Sequence, residues 1–201
     1  MTGGPDSYAG LPVSAFLDAL AAGTTAPAAG SAAALVLAEA AALCAKAARL
    51  SASQLTAQRA AALVEEAEQI RSRAASLIDQ DPLAYQGVIE QTRRHRGQSS
   101  GGSGAAGRGD GLGAALSAAA DVPLHVVELA VPVASIAAVL AKSGKPALRG
   151  DAVAAGLLAQ AAARAAAVLV RINLAAVPSD PRHARAGELL ADINAHLERG
   201  S

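Results

Sequence analysis

Aromatic residues are almost missing from this chain. Its 201 residues include no tryptophan, one phenylalanine and two tyrosines, although hydrophobic residues make up 52% of the sequence. A core cannot be built from rings, so Ala, Leu and Val must fill it, and such small side chains favour helices packed at short range. Cysteine is nearly absent as well. The lone Cys44 excludes an internal disulfide framework and a multi-thiolate metal site, and the four histidines show no zinc-ligand spacing. An excess of one charge is also lacking: 17 basic residues balance 17 acidic ones. Nothing global then draws the chain to nucleic acid or to an anionic membrane. The opening MTGGPDSYAGLPVSAF does not have the basic-then-apolar order of a signal peptide. Apolar runs such as LAVPVASIAAVLA are too short to span a bilayer, and longer windows are broken by Glu39, Lys46, Arg164 and Arg171. These features predict a soluble, cytoplasmic protein with no nucleic-acid and no membrane partner.

Two-residue alternation is missing too, which leaves no segment that reads as a strand. Apolar residues recur at spacings of three and four, so the expected fold is all-α: a single-domain antiparallel helical bundle of about six helices. A short helix is expected from about Val13 to Ala22, stopped by Gly23, and a second from Ser31 as N-cap to about Leu50. The third carries the clearest buried stripe, through Ala60, Leu63, Ala67, Ile70, Ala74 and Leu77. A Gly/Ser-rich linker loop is expected over 95–111. Beyond it come a helix from about Leu112 to Lys142, bent or broken at Pro123 and Pro132, a nearly all-apolar helix headed by Asp151, and a last helix with Asp180 as N-cap and Pro181 in its first turn. The helices from Ser31 and from Asp151 have little polar face, which predicts a dimer.

Continuing the third stripe by the same steps gives Asp81, Ala84 and Val88, so a carboxylate falls among residues that are otherwise buried. Asp79 does not fall on the stripe. Tyr85, four residues after Asp81, places a phenol on the same side. Two readings stand side by side: a catalytic acid, or an N-cap for a new helical segment beginning at Pro82. Asn173 lies off the polar stripe of Gln160, Arg164 and Arg171. It should be buried, with a structural partner expected for its amide before a ligand. Asp151, at the head of its helix, has capping as its ordinary role. Asp121, His125 and Glu128, with Ser117 and Ser135, read as a solvated stripe.

Five stretches taken in order resemble the cyclodeaminase/cyclohydrolase family: TTAPAAGSAAALVLAEAAAL from Thr24, Asp81-Pro-Leu-Ala-Tyr85, AADVPL, SGKPALRGDA and RINLAAV. That family includes the cyclodeaminase domain of formiminotransferase-cyclodeaminase and the stand-alone methenyltetrahydrofolate cyclohydrolases. The resemblance covers about Ser14 to Leu197. It implies an all-α homodimer that binds tetrahydrofolate derivatives near the subunit interface, with no metal and no cofactor beyond the folate substrate. It also implies that Asp81 is the catalytic acid and that Pro27, Gly30, Ser31, Tyr85, Asp151 and Asn173 bind substrate. The implied activity is methenyltetrahydrofolate cyclohydrolase or formiminotetrahydrofolate cyclodeaminase. Departures from the family pattern keep open a non-catalytic folate binder or helical scaffold. Ala28 and Ala29 replace two glycines, Lys145 replaces Asn and Gly150 replaces Ser.

Overall fold

The computed structural model describes residues 7–98 and 106–200. Among the described residues seven α-helices follow one another: α1 (Val13–Ala21), α2 (Ala29–Arg49), α3 (Ala57–Gln98), α4 (Ala106–Ala119), α5 (Asp121–Ser143), α6 (Arg149–Asn173) and α7 (Pro181–Gly200), with a 3-10 turn at Pro146–Leu148. No strand occurs among the described residues. The third-helix stripe is buried as its period requires: Ala60, Leu63, Ala67, Ile70, Ala74 and Leu77 all lie in the core, as does Val88 further along.

α2 is central and packs against α3, α5 and α6. Its buried residues, among them Ala34, Ala41 and Ala48, belong to one continuous core cluster with Ala155, Ala159, Ala163 and Ala166 of α6. Where α2 and α6 pack together, much of the buried surface is alanine, and side chains this small allow helices to approach closely. Gly30 of α2 and Asn173 of α6 line one cleft, while Lys46 and Asp151 pair at the other end. The two helices therefore run antiparallel.

Several expected boundaries move. α2 starts at Ala29 with Ala28 at the N-cap position, so Ser31 lies inside the first turn and is not the cap. α3 continues through Pro82, and no new segment starts there. The helix expected over Leu112–Lys142 is two helices separated at Ala120, which makes seven helices where about six were expected. Pro123 falls in the first turn of α5, where a missing N–H is tolerated, and α5 passes through Pro132. Helix covers 95–98 and 106–111 of the expected linker, and its centre, 99–105, lies outside the described residues. α7 begins as expected: Asp180 Oδ1 accepts the Arg182 backbone N–H at 2.9 Å.

The solvated stripe of α4 and α5 is partly tied down. The Arg182 guanidinium donates to the Ser117 hydroxyl at 2.6 Å, to the Ser117 carbonyl at 2.8 Å and to Asp121 at 2.6 Å. Arg182 also holds the Asp180 carboxyl down to about 2. One cation thus joins α7 to both sides of the α4/α5 break. Cys44 is fully buried, and burial pushes its thiol up to about 12, which keeps it an unreactive packing residue.

Three stretches, Ala29–Arg49, Gly111–Ser143 and Pro146–Asn173, are long and apolar enough to cross a membrane by length and composition. The short apolar runs of the sequence did not suggest this. The cause is alanine, which keeps mean hydropathy high across windows containing isolated charges. In the fold 61%, 56% and 44% of these windows are buried, so the third is the least covered. Its uncovered part is an outward stripe of α6 that includes Val153, Leu157, Val168 and Ile172.

Candidate functional site

A cleft of about 560 Å³ opens at the end of the bundle where α2 begins and α6 ends. Asp81 of α3 lies in its wall, half-buried, with its carboxylate set against the first turn of α2. Oδ2 accepts the Ser31 backbone N–H at 3.1 Å. The acid therefore does cap a helix, but it caps α2 from fifty residues away and not its own segment. A helix N-terminus has unpaired N–H groups and favours negative charge. Burial works against the charge and is the larger effect: it raises the Asp81 carboxyl above the ordinary carboxylate range, while the N–H and hydroxyl of Ser31 pull the other way.

Gly30 is required by this contact. A β-carbon placed on Gly30 would collide with the Asp81 carboxylate, meeting both of its oxygens and its carboxyl carbon. Only a residue without a side chain lets the acid lie on the α2 backbone.

Two prolines in the cleft wall, Pro82 and Pro123, share a further device. A proline inside a helix removes the donor to the carbonyl four residues before it. For Pro82 that carbonyl is Ile78 O, and the buried Ser31 hydroxyl donates to it at 2.8 Å. Pro123 lies in the first turn of α5, and the carbonyl four residues before it, Ala119 O at the end of α4, has no helical donor there and accepts from Asn173 Nδ2 at 3.0 Å. Each vacancy is filled by a side chain from another helix. The Ser31 hydroxyl has a single proton, committed to Ile78 O, so its 3.4 Å approach to Asp81 Oδ2 is a weak contact. Ser31→Ala is expected to lower stability by about 1–3 kcal/mol, because it strands a buried carbonyl. Chemical denaturation of Ser31→Ala, Pro82→Ala and the double variant checks the pairing. Restoring an N–H at position 82 should cancel most of the Ser31→Ala loss, and strict additivity would refute it.

The other expected site residues divide. Gly30, Asp81, Tyr85 and Asn173 line the cleft together. Ser31 lies directly behind Asp81, fully buried. Pro27 is buried beneath the wall, between the lining residues Ala26 and Ala28, and its peptide bond to Ala26 is cis. Asn173 is half-buried rather than buried, and has both its structural partner and a place in the cleft. Asp151 is not brought in. It lies in the first turn of α6 and pairs with Lys46 Nζ at 2.7 Å. Lys46 is sixteen residues along α2 from Gly30, roughly 24 Å at helical rise.

Ala28 and Ala29, which the sequence resemblance sets against two glycines, line the cleft. Ala28 has φ −133°, ordinary extended backbone, and Ala29 is the first helical residue of α2. Neither needs a left-handed conformation, so their effect is limited to two methyl groups in the wall.

Sequence reasoning missed Tyr8, Asp79, Gln86, Leu169 and Ile172, all of which line the cleft. One signal existed for two of them: Leu169 lies three residues before Ile172 and four before Asn173, spacings that bring side chains together on α6. Tyr8 precedes α1 in a segment with no period to read.

Comparison with known proteins bears on the family and the fold. Residues 12–189 match the family described as formiminotransferase-cyclodeaminase. The crystal structure of formiminotetrahydrofolate cyclodeaminase from Thermotoga maritima superposes with a TM-score of 0.78 at 25% identity, over 94% of this chain and 93% of that chain. No curated protein matches the chain. A match over most of the length, on an all-helical fold shared with a solved cyclodeaminase, shows that the chain belongs to the formiminotransferase-cyclodeaminase family.

Proposed function

We propose that the cleft binds a one-carbon-substituted tetrahydrofolate and that Asp81 moves the proton for closure of its 5-formimino group with loss of ammonia. The observation that carries this is a carboxyl raised by burial, resting on a helix N-terminus and facing an open cleft. In the closure, N10 attacks the protonated formimino carbon and an N10–C bond forms. The Asp81 carboxylate takes the proton from N10 and gives it to the exocyclic nitrogen. The bond from carbon to that nitrogen breaks, ammonia leaves, and the charge stays on the 5,10-methenyl product. One carboxyl serves as base and then as acid, and a pKa above the ordinary carboxylate range suits both roles.

The same group supports the hydrolytic alternative, in which Asp81 takes a proton from water attacking the methenyl carbon and gives it to N5 as the C–N5 bond breaks; the carbon stays on N10 as a formyl group and the remaining hydroxyl proton is released to solvent. The methyls of Ala28 and Ala29 in the wall favour a second reading, a folate binder without turnover. Absorbance separates the three, because the methenyl compound is coloured and its neighbours are not. Growth of colour from the formimino substrate supports closure, and decay of colour supports hydrolysis. Binding without either supports the binder, and no binding overturns the folate reading.

A second copy of the chain is the proposed cover for the outward stripe of α6. Leu157 and Ile172 are 55% and 61% exposed there, a large apolar area for a lone protomer. Light scattering at micromolar concentration is expected to give a dimer mass, and Leu157→Glu a monomer. A monomer mass for the parent would contradict the proposal.

A further inference from the structure

The chain has three aromatic rings. Phe16 is buried in the core at 3% exposure, and the other two, Tyr8 and Tyr85, both line the cleft. Tyr85 is 45% exposed and sits on α3 one turn after Asp81. Tyr8 comes from outside the bundle, in the short segment before α1, and ahead of residues 12–189 that the family matches.

That segment is pinned. Asp79 Oδ2 accepts the Ser7 hydroxyl at 2.7 Å, and Oδ1 accepts the Tyr8 N–H at 2.6 Å and the Ala9 N–H at 3.3 Å. The Gly10 N–H donates to Ser7 Oγ at 3.1 Å, and the Leu11 N–H donates to the Tyr8 carbonyl at 3.2 Å. Asp79 thus has three donors on its carboxylate and is committed to the turn, whereas Asp81, two residues on, is left to the cleft. The result is a fixed turn that carries one half-buried ring into the same wall as Asp81 and Tyr85. A ring held before the ligand arrives loses little freedom on binding. Tyrosine offers a flat face with a polar tip, which suits a flat heteroaromatic ring edged with amide and amine groups.

We propose that Tyr8 contacts the substrate, taking a flat ring of the folate against its own, and that Asp79 is the positioning residue that holds it there through the Ser7–Gly10 turn. This rests on the folate reading above and extends its site to a ring that lies ahead of residues 12–189, the stretch the family matches.

Because the chain has no tryptophan, its near-ultraviolet emission comes from these two tyrosines, and Tyr85→Phe leaves Tyr8 as the single emitter. The probe is 5-formyltetrahydrofolate, titrated by calorimetry and by tyrosine emission, with free tyrosine at equal probe concentration correcting for absorption. Probe binding is expected to quench Tyr8 emission in Tyr85→Phe. Tyr8→Ala is expected to raise Kd about five- to tenfold, and Tyr8→Phe, which keeps the ring and loses only the polar tip, to raise it by less than Tyr8→Ala does. Asp79→Ala is expected to raise Kd about threefold in the parent and to have no further effect in Tyr8→Ala, which a merely structural role would not give. Ser7→Ala stands in where Asp79→Ala lowers stability. If the parent binds the probe and Tyr8→Ala binds it within about twofold, the contact is overturned and the folate reading stands. If the parent binds no probe, both fall together.

Discussion

Asp81→Asn is expected to slow turnover about a thousandfold, the middle of the range for losing a positioned proton carrier, while the protein stays folded. The amide keeps the shape and keeps an oxygen for the Ser31 N–H, so the capping of α2 survives. What disappears is the group that exchanges a proton with the substrate. The pH dependence separates this from a structural effect. The folded pKa of Asp81 is raised above its unfolded value. Its protonated form therefore contributes stability that is fully present below the unfolded pKa and is lost as pH rises through the folded one. Asn has no charge to acquire, so the variant should gain on the parent in stability as pH climbs through that window. Turnover moves the other way, because the first step needs the carboxylate: kcat/KM of the parent should rise through the same raised pKa, and the limb should vanish in the variant. Methenyl absorbance and chemical denaturation across pH read both. Activity within about threefold of the parent would remove Asp81 from the mechanism.

Gly30→Ala is expected to be as informative, because two ordinary rules give opposite signs. An alanine in place of glycine within a helix commonly gains about 1 kcal/mol. Here the added methyl lands on the Asp81 carboxylate. Either the acid rotates away from Ser31 or α2 shifts, and a loss of about 1–3 kcal/mol is the expected result. Displacing the acid by about an ångström should also cost about a hundredfold in turnover. In an Asp81→Ala background the obstruction is gone, so Gly30→Ala should then stabilise the fold. A penalty of the same size in both backgrounds would show that something other than the carboxylate requires glycine at this position.

The buried stripe of α3 was legible because six apolar residues keep a helical period over eighteen positions, and that period carried on to Asp81. The α4/α5 break was not legible, since Ala120 sits in a run of helix-forming residues and the cation that ties its two sides, Arg182, lies some sixty residues later. Pro82 misled for a related reason. Its local signal is a helix start, yet Ser31, fifty-one residues upstream, supplies the missing donor, and the helix continues. Asp151 shows the limit of reading by motif order: a sequence places residues along a helix but does not say that α2 and α6 run antiparallel with Asp151 at the end away from the cleft. Asn173 was half legible. Its need for a structural partner followed from chemistry, whereas its place on the cleft depended on where α6 ends.

The alanine interface between α2 and α6 inverts the usual pattern of mutational damage. In a core of Leu and Phe most harm comes from truncation, which leaves a cavity. Ala34, Ala41, Ala155, Ala159 and Ala163 are fully buried and have nothing left to truncate but a methyl. Substitution there can scarcely go except upward in volume, and Val or Leu at any one of them must separate two helices along their whole contact. In a library covering every position, these sites should accept Gly or Ser better than any larger apolar residue, the reverse of a hydrophobicity ranking. The lever is long, since the helices that would be spread at their middle are the same two whose ends form the cleft. A larger side chain at Ala41 or Ala159 therefore acts on the entrance for the ligand from a distance, which makes this buried seam a place to tune the width of the site without touching any residue in it.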